Sequence, residues 1–336
     1  MIFVLVNLVL FFSLGLIVFY TEKIRTLNSS TYDPVVQIFK RYPVLNASHK
    51  EAELNYSTFP IPGLLKTQTL EKETKSLDDC YGMTPQGLAI TENYLFISAY
   101  CSSHKHHSVI FMLDKKEAKY LKTIVLKDRT HAGGLAYDAA HHCLWVSAVA
   151  KDHGRVAAIS MDDILNYDMT LDDKPIRYRH TVDFPSIYQA SFITMNEGSL
   201  LAGNFDKREN GAVANISFVE EETFDVVQEK KEEVIVPKKA QGIVFYKDYC
   251  LVSQSFGPFQ SKIYVFSSEQ FCTGLLNKST AVQTIKAPPY LEQIAVFCDH
   301  LYLIFESGAA SYREKTAKFL TEVVAVHLPT LLEVEK

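Results

Sequence analysis

A unit of about 50 residues recurs five times along this chain, and this repeat limits the possible folds more than any other feature of the sequence. The copies align at Gln86, Gly133, Ala190, Gln241 and Glu292, with spacings of 47, 57, 51 and 51 residues. Self-similarity at such a period is typical of architectures in which each repeat is one small sheet or helical pair packed against its neighbours. The chain is therefore predicted to be a closed or stacked array of five equivalent units.

The first copy indicates which kind of unit is repeated. Its segments 84–90, 94–98, 109–114 and 120–126 are short, rich in β-branched and aromatic residues, and separated by turn-forming or charged residues. These properties predict four successive antiparallel strands. Four strands without a helix are the composition of a propeller blade. The sequence thus predicts an all-β, five-bladed β-propeller over residues 61–330.

The fifth copy has segments for three strands, the third at 321–328, and needs an outer strand from elsewhere. Leu64–Leu70 matches the outer strand 120–126 at Leu, Lys, Thr and the final Leu. Because an open ring would leave strand edges unpaired, we expect this N-terminal segment to complete blade five and close the propeller.

Residues 2–20 contain no charged side chain and approach the roughly 20 residues that span a bilayer. No basic segment precedes them and no small-x-small cleavage motif follows. The sequence predicts a transmembrane or signal-anchor helix at 1–21, with a cleaved signal as the alternative, and a polar tether at 22–60.

Two features bear on the compartment, and they disagree. Lys23 and Arg25 follow the apolar segment and favour a cytoplasmic propeller. Five Asn-x-Ser motifs, beginning at Asn28, favour export. We expect a single-pass protein of the cell membrane with an extracytoplasmic propeller, or else a secreted one. The net charge of −5 argues against a nucleic-acid partner.

In a propeller, the loops entering the inner strands and the hairpins after the second strands lie on one face. Here they carry many polar side chains, as a small-molecule site requires. The predicted ligand-binding residues are Gln86, Tyr100, His131, Tyr188, Asn204, Gln241, Glu292 and Glu306. The alternative is that these side chains hydrogen-bond neighbouring loops and bind no ligand.

Three of these residues are candidates for chemistry: Glu292, Glu306 and His131. The two carboxylates, with the amide oxygens of Gln86 and Gln241, are hard ligands that suit Ca²⁺. His131 is a candidate general base. A glycosidase would require a second carboxylate beside Glu292.

Clustered histidines and cysteines raise two further questions, metal binding and disulfide formation. His104–His107 and His141–His142 are predicted to be exposed turn residues, since neither group has ligands at metal-binding spacing. Cys80 and Cys101 fall on one rim of blade one, where a disulfide is possible.

The recurring inner strands Gln-Gly-Leu-Ala and Gly-Gly-Leu-Ala-Tyr-Asp, each followed by Leu-x-Val-Ser, cover about residues 64–328. In these motifs the chain resembles the extracytoplasmic YncE-like, YVTN-type and gluconolactonase-like β-propellers. The resemblance implies, for a gluconolactonase-like enzyme, one divalent ion held by a glutamate, an asparagine and an aspartate at inner-strand ends. Glu292 alone matches that set in type and place.

These observations predict a membrane-tethered propeller whose axial mouth binds a polar small molecule, a saccharide or an envelope protein. The alternative is a metal-dependent hydrolase or lactonase of the gluconolactonase-like type. A third interpretation makes the ring a platform for protein interactions.

Overall fold

The structure is a computed structural model that describes residues 33–172, 174–218, 226–227, 233–316 and 318–333. The predicted membrane segment at 1–21 lies outside these ranges and stays a prediction. Within the described ranges, no helix is long and apolar enough to span a membrane.

The described part of the chain begins with two short helices and three strands, and the first complete blade and the other blades follow in sequence order. The helices are α1 (Pro34–Phe39) and α2 (Pro43–Lys50), and the strands are β1 (Thr58–Pro60), β2 (Thr67–Leu70) and β3 (Leu77–Cys80). Blade one is β4 (Met83–Ile90), β5 (Tyr94–Cys101), β6 (Val109–Asp114) and β7 (Lys119–Val125). Blade two is β8 (Leu135–Asp138), β9 (Cys143–Ala148), β10 (Gly154–Ser160) and β11 (His180–Phe184), with α3 (Met161–Asn166) and α4 (Met169–Asp172) before its last strand.

The remaining blades follow the same antiparallel order from the axis outward. Blade three is β12 (Phe192–Asn196), β13 (Ser199–Gly203) and β14 (Gly211–Phe218), with β15 (Val226–Val227) and β16 (Val234–Val236) both paired to β14. Blade four is β17 (Ala240–Tyr246), β18 (Tyr249–Gln254), β19 (Ser261–Ser267) and β20 (Gln283–Ala287), with α5 (Ser268–Cys272) between its last two strands. Blade five is β21 (Leu291–Phe297), β22 (His300–Phe305), β23 (Glu322–His327) and β1; a 3₁₀ turn (Glu306–Gly308) and α6 (Ala310–Arg313) lie between β22 and β23, and α7 (Leu328–Leu332) follows.

The five inner strands form a closed ring. β4, β8, β12, β17 and β21 contact one another in that order, and β21 returns to contact β4. The predicted five-bladed, all-β propeller is therefore confirmed.

An N-terminal strand completes blade five, but the predicted segment was wrong. β1 pairs antiparallel with β23, with Phe59 opposite Val323. The predicted Leu64–Leu70 segment instead contributes β2, which forms a separate hairpin with β3. Burial explains the difference, because Phe59 is 1% exposed and packs near Tyr302, whereas Leu65 is 71% exposed.

The stretch before β1 also packs on the propeller. Asp33 caps α1 by accepting hydrogen bonds from the backbone N–H groups of Val35 and Val36. Phe39 and Leu45 are fully buried in a core shared with blades four and five. Part of the region predicted as a tether is thus an extension of the propeller's core.

Close packing around the axis explains the small residues of the inner strands. A Cβ atom on Gly134 would lie 2.6 Å from the backbone nitrogen of Ile193, in the inner strand of the next blade. One on Gly87 would lie 2.9 Å from the backbone nitrogen of Leu135. Glycine is required at both positions because neighbouring backbones approach too closely for any side chain.

Candidate functional site

Three inner strands have β-bulges close to their first residues, and the bulges determine which side chains face the axis. The pairing of β4 with β5 skips Gln86 and Gly87, and that of β17 with β18 skips Gln241. The pairing of β21 with β22 skips Glu292 and Gln293. A bulge breaks the alternation of a strand and redirects its side chains. All three bulges thereby bring a polar side chain to the same end of the ring.

These side chains surround a cavity of about 450 Å³, here called the axial mouth. Its lining is mostly polar, with aromatic rings from blades three and four. The lining residues are Gln86, His131, Gln189, Ser191, Phe205, Lys207, Gln241, Phe256, Gly257, Glu292, Glu306 and Tyr312.

Glu292 and Glu306 form the chemical centre of the axial mouth. Both side chains are buried and are hydrogen-bonded to each other. Gln241 Nε2 donates to Glu292 Oε1 at 3.2 Å, and Gln86 Nε2 donates to Glu306 Oε2 at 3.0 Å. Two inner-strand glutamines therefore hold the two carboxyl groups in place.

The surroundings of this pair favour one shared proton. Burial raises the pKa of Glu306 to about 7. Burial also raises the pKa of Glu292 well above its ordinary value, and the adjacent negative charge of Glu306 raises it further. At neutral pH, Glu292 is therefore the protonated partner that donates to Glu306, because two touching buried carboxylates repel each other.

Two tyrosines extend the network beyond the carboxyl pair. The Tyr312 hydroxyl is hydrogen-bonded with Glu306 and with Tyr100. Burial raises the pKa of both tyrosines, so both remain protonated. The Tyr100 ring also packs on His131, with ring centroids 4.2 Å apart.

His131 lines the axial mouth as predicted, but its low basicity does not suit a general base at neutral pH. The surrounding protein atoms lower its pKa to about 4, and nearby His104 contributes to the lowering. His131 is therefore neutral and only weakly basic at physiological pH. Its ring remains accessible from the cavity, where it can orient a ligand.

The structure places the eight predicted ligand-binding residues in three settings. Gln86, His131, Gln241, Glu292 and Glu306 line the axial mouth, and Tyr100 lies directly behind it. Asn204 is buried and accepts a hydrogen bond from Ala212 N–H at 2.8 Å. The exposed Tyr188 donates its hydroxyl hydrogen to the Phe205 carbonyl. Asn204 and Tyr188 support the blade-three wall rather than line it, and the binding role of all eight stays a prediction.

Several lining residues were not predicted. Gln189 and Ser191 flank the inner-strand start of blade three, next to the predicted Tyr188, and both line the mouth. Tyr312 comes from the 306–321 connection between β22 and β23. The unusual length of this connection is the sequence feature that could have predicted a contribution to the mouth. Lys207 brings the one ammonium group among the lining residues, beside the Phe256 ring at 5.4 Å.

Gln293 was also missed, and it forms the floor below the mouth. Its Oε1 accepts from Leu135 N–H at 2.8 Å, and its Nε2 donates to the carbonyls of Leu88, Leu135 and Ile193 at 3.1, 2.6 and 3.1 Å. The side chain is 3% exposed and adjoins a second cavity of about 170 Å³ at the other end of the inner strands. One glutamine thus connects blade five to blades one, two and three across the axis.

The raised pKa values of Glu292 and Glu306 predict that stability falls as pH rises. The native state binds more protons than the unfolded chain when carboxyl pKa values are raised on folding, so the stabilisation is complete below pH 4 and lost through pH 7. For Glu306, with a pKa of about 7, the loss is on the order of 3–4 kcal/mol at about 1.4 kcal/mol per pKa unit. Urea unfolding of the wild type and of E292Q/E306Q between pH 5 and 8 measures it.

We expect the free energy of unfolding of the wild type to decline over this range relative to that of the double variant. E117Q removes an exposed glutamate and is the matched control. Parallel pH profiles for the wild type and E292Q/E306Q would rule out the shared proton.

The donor set does not match the ion site that the family resemblance implies. Asn204 is engaged with Ala212, and Asp206 accepts from the backbone N–H groups of Arg208 and Glu209, so neither joins Glu292. Gln86 and Gln241 present nitrogen rather than oxygen to the carboxyl pair. Calcium at Glu292 and Glu306 stays a prediction, and it would require both carboxyls to ionise and both amides to turn.

Comparison with known proteins assigns neither a family nor an activity to this chain. No family model matches the sequence, and no curated protein matches it. Among solved structures, the chain is similar to the periplasmic gluconolactonase PpgL of Pseudomonas aeruginosa, with 13% identity over 70% of this chain and 68% of that chain and a TM-score of 0.37. It is also similar to the β-propeller domain of Cps50 (Swd1) from Myceliophteria thermophila, with 11% identity over 67% and 62% and a TM-score of 0.34.

A third similar structure is the hydrazine synthase of Kuenenia stuttgartiensis, with 12% identity over 66% of this chain and a TM-score of 0.36. The chain spans 55% of the length of that protein and 62% of the Cps50 chain. All three TM-scores lie below 0.5, so the architecture rests on the sheets described above. The activities of these proteins are not transferred to this chain.

Proposed function

We propose that the propeller binds a polar, hydroxyl-bearing small molecule of the saccharide class in its axial mouth. The observation that carries this proposal is the buried, hydrogen-bonded pair of Glu292 and Glu306 inside an accessible cavity. Burying two carboxyl groups is costly, and a site that presents them to a ligand accounts for that cost.

The size and lining of the mouth support such a ligand. A volume of about 450 Å³ lies within the range of about 300–1,000 Å³ that is typical of small-molecule pockets. Carboxyl, amide and hydroxyl groups of the lining can both donate to and accept from the hydroxyls of a sugar. The Phe205 and Phe256 rings offer an apolar surface for its C–H groups, and Lys207 favours a ligand with an acidic substituent.

A binding screen with paired variants tests the proposal. Neutral sugars, sugar acids and polyols are added to the full chain, and thermal shift followed by calorimetry measures binding. E306Q keeps the shape of Glu306 but removes its charge, so we expect it to weaken the best ligand by about 10–100-fold, since a hydrogen bond to a charged group contributes about 1.5–3 kcal/mol. T194A alters the cavity at the other end of the inner strands and serves as control.

Unchanged ligand affinity in E306Q, or a larger loss of affinity in T194A, would show that the ligand binds outside the axial mouth. The other outcome is that none of these small molecules binds and that the propeller binds a protein partner instead. Either result would contradict a saccharide site at Glu306.

Acid–base hydrolysis is the second candidate function, and the pKa of about 7 at Glu306 favours it. A group that titrates near neutrality can both accept and release a proton during turnover. Glycosidase chemistry is less suitable, because the two carboxyls touch, whereas glycosidases hold theirs about 5 Å or more apart. Turnover of lactones and esters, lost in E306Q and indifferent to chelator, would support a hydrolase that does not depend on a metal.

We also propose that residues 1–21 hold the propeller at the outer side of the cell membrane. The uncharged segment 2–20 and the Asn-x-Ser motifs support this topology. Digestion of the propeller by protease added to intact cells is the expected result, and complete protection would contradict the orientation.

A further inference from the structure

Two cysteines and a histidine meet at the edge of blade one, away from the axial mouth. Cys80 lies at the end of β3, Cys101 at the end of β5, and His106 in the loop that follows β5. Their ligand atoms all lie within 4.8 Å of one another, and the side chains are buried, at 1%, 2% and 7% exposure for the three residues in that order. The expectation that His104–His107 are all exposed is thus wrong for His106.

The separation of Cys101 and His106 matches the spacing of two ligands in a tetrahedral metal centre. Cys101 Sγ lies 3.4 Å from His106 Nδ1. In tetrahedral zinc sites, with Zn–S of about 2.3 Å and Zn–N of about 2.0–2.1 Å, neighbouring sulfur and nitrogen ligands lie about 3.6 Å apart. The observed separation needs almost no adjustment to bind an ion.

A carboxylate supports the histidine from behind. His106 Nε2 lies 3.2 Å from Asp78 Oδ2, and Asp78 is on the same strand as Cys80. Metal-ligating histidines commonly donate their second ring N–H to a carboxylate, which fixes the tautomer and the ring orientation. A neutral His106 that donates from Nε2 to Asp78 has Nδ1 free of hydrogen, and Nδ1 faces Cys101 Sγ.

The site would also add a link between the β2–β3 hairpin and blade one. The β2–β3 hairpin belongs to none of the five blade sheets. Backbone hydrogen bonds from Lys72 to Lys105 and from His107 to Leu70, of 3.0 and 2.9 Å, hold it against the loop after β5. A metal ion between Cys80 and the two ligands of that loop would fasten the hairpin to blade one.

We propose that Cys80, Cys101 and His106 bind one zinc ion, with Asp78 as the positioning residue of His106. The two thiols lose their protons to solvent and bind as thiolates, His106 binds through neutral Nδ1, and water completes the tetrahedron. Thiolate and imidazole ligands favour zinc over hard ions such as calcium and magnesium. The affinity should rise with pH, because binding releases two protons.

Cobalt titration of the reduced full chain tests the site, because thiolate-bound tetrahedral Co²⁺ absorbs strongly in the near-ultraviolet and visible range. We expect one Co²⁺ per chain, displaced by one Zn²⁺, and loss of the thiolate band in C80S, C101S and H106Q. D78N should weaken binding by about 10–100-fold while keeping the spectrum. C272S, which replaces an exposed cysteine, is the matched control and should bind as the wild type does.

Circular dichroism of each variant shows whether it folds, and zinc should raise the melting temperature of the wild type but not of H106Q. Absence of a thiolate–cobalt band in the folded, reduced wild type would overturn the proposal. A band that survives in C101S would overturn it equally. Peptide mapping that finds Cys80 joined to Cys101, with no metal bound after reduction, would establish a disulfide instead.

Discussion

Replacing Gln293 by alanine is expected to lower the free energy of unfolding by about 3–6 kcal/mol, since each buried polar group left unpaired costs about 1–3 kcal/mol. The side chain is almost completely buried and makes four hydrogen bonds to the inner strands of blades one, two and three. Alanine would remove all four and leave a cavity where the strands converge. Water could reach the unpaired backbone groups only from one of the two axial cavities.

Urea unfolding measures this loss, and two further variants separate its causes. Q293L keeps most of the volume but none of the hydrogen bonds, so it should remain strongly destabilised. Q68A removes an exposed glutamine from β2 and should change stability by less than about 0.5 kcal/mol. If Q293A unfolds within 1 kcal/mol of the wild type, roughly the worth of one ordinary hydrogen bond, then Gln293 does not tie the blades together.

Replacing Phe59 by alanine is expected to cost about 3–5 kcal/mol, the usual range for a buried phenylalanine. Phe59 is the central residue of the three-residue strand that completes blade five, and it is buried near Tyr302 and opposite Val323. Loss of its ring weakens the only strand that joins the two ends of the propeller among the described residues. We expect the melting temperature to fall by on the order of 10 °C, at roughly 2–4 °C per kcal/mol.

L65A is the matched control, because Leu65 belongs to the segment first predicted to close the ring. It is 71% exposed, so its substitution should have almost no effect on the melting temperature. A larger loss in L65A than in F59A would show that Leu64–Leu70 closes the propeller and that the observed pairing of β1 is wrong.

The repeat made the five blades predictable, but it did not identify the closing strand. Each blade repeats an inner strand and a second strand with a shared pattern, and five copies carry enough signal to define the ring. β1 has three residues and no pattern of its own, while Leu64–Leu70 has a strong local strand pattern. Packing of Phe59 determines that β1 is the strand that completes blade five. Local strand preferences in the sequence do not predict that packing.

In the candidate site, too, the repeat predicted some residues and not others. Gln86, Gln241 and Glu292 were predicted because they begin inner strands, and the bulges at those positions direct them into the mouth. The role of Gln293 was hidden, because regular alternation gives no reason to place consecutive residues both at the axis. His106 was assigned to an exposed turn since its partner Cys80 arrives on a hairpin that the repeat does not contain.

The proposed site chemistry depends on two buried, hydrogen-bonded glutamates with raised pKa values at the axial mouth, and carbon NMR can follow the ionisation of their carboxyl groups. In protein labelled at the glutamate carboxyl carbon, we expect one signal to titrate near pH 7 and to disappear in E306Q. E117Q, the control variant, should leave the signal near pH 7 in place. If every glutamate carboxyl in the folded protein titrates below about pH 5, as unperturbed glutamates do, the pair is fully ionised and the proposed site chemistry is wrong.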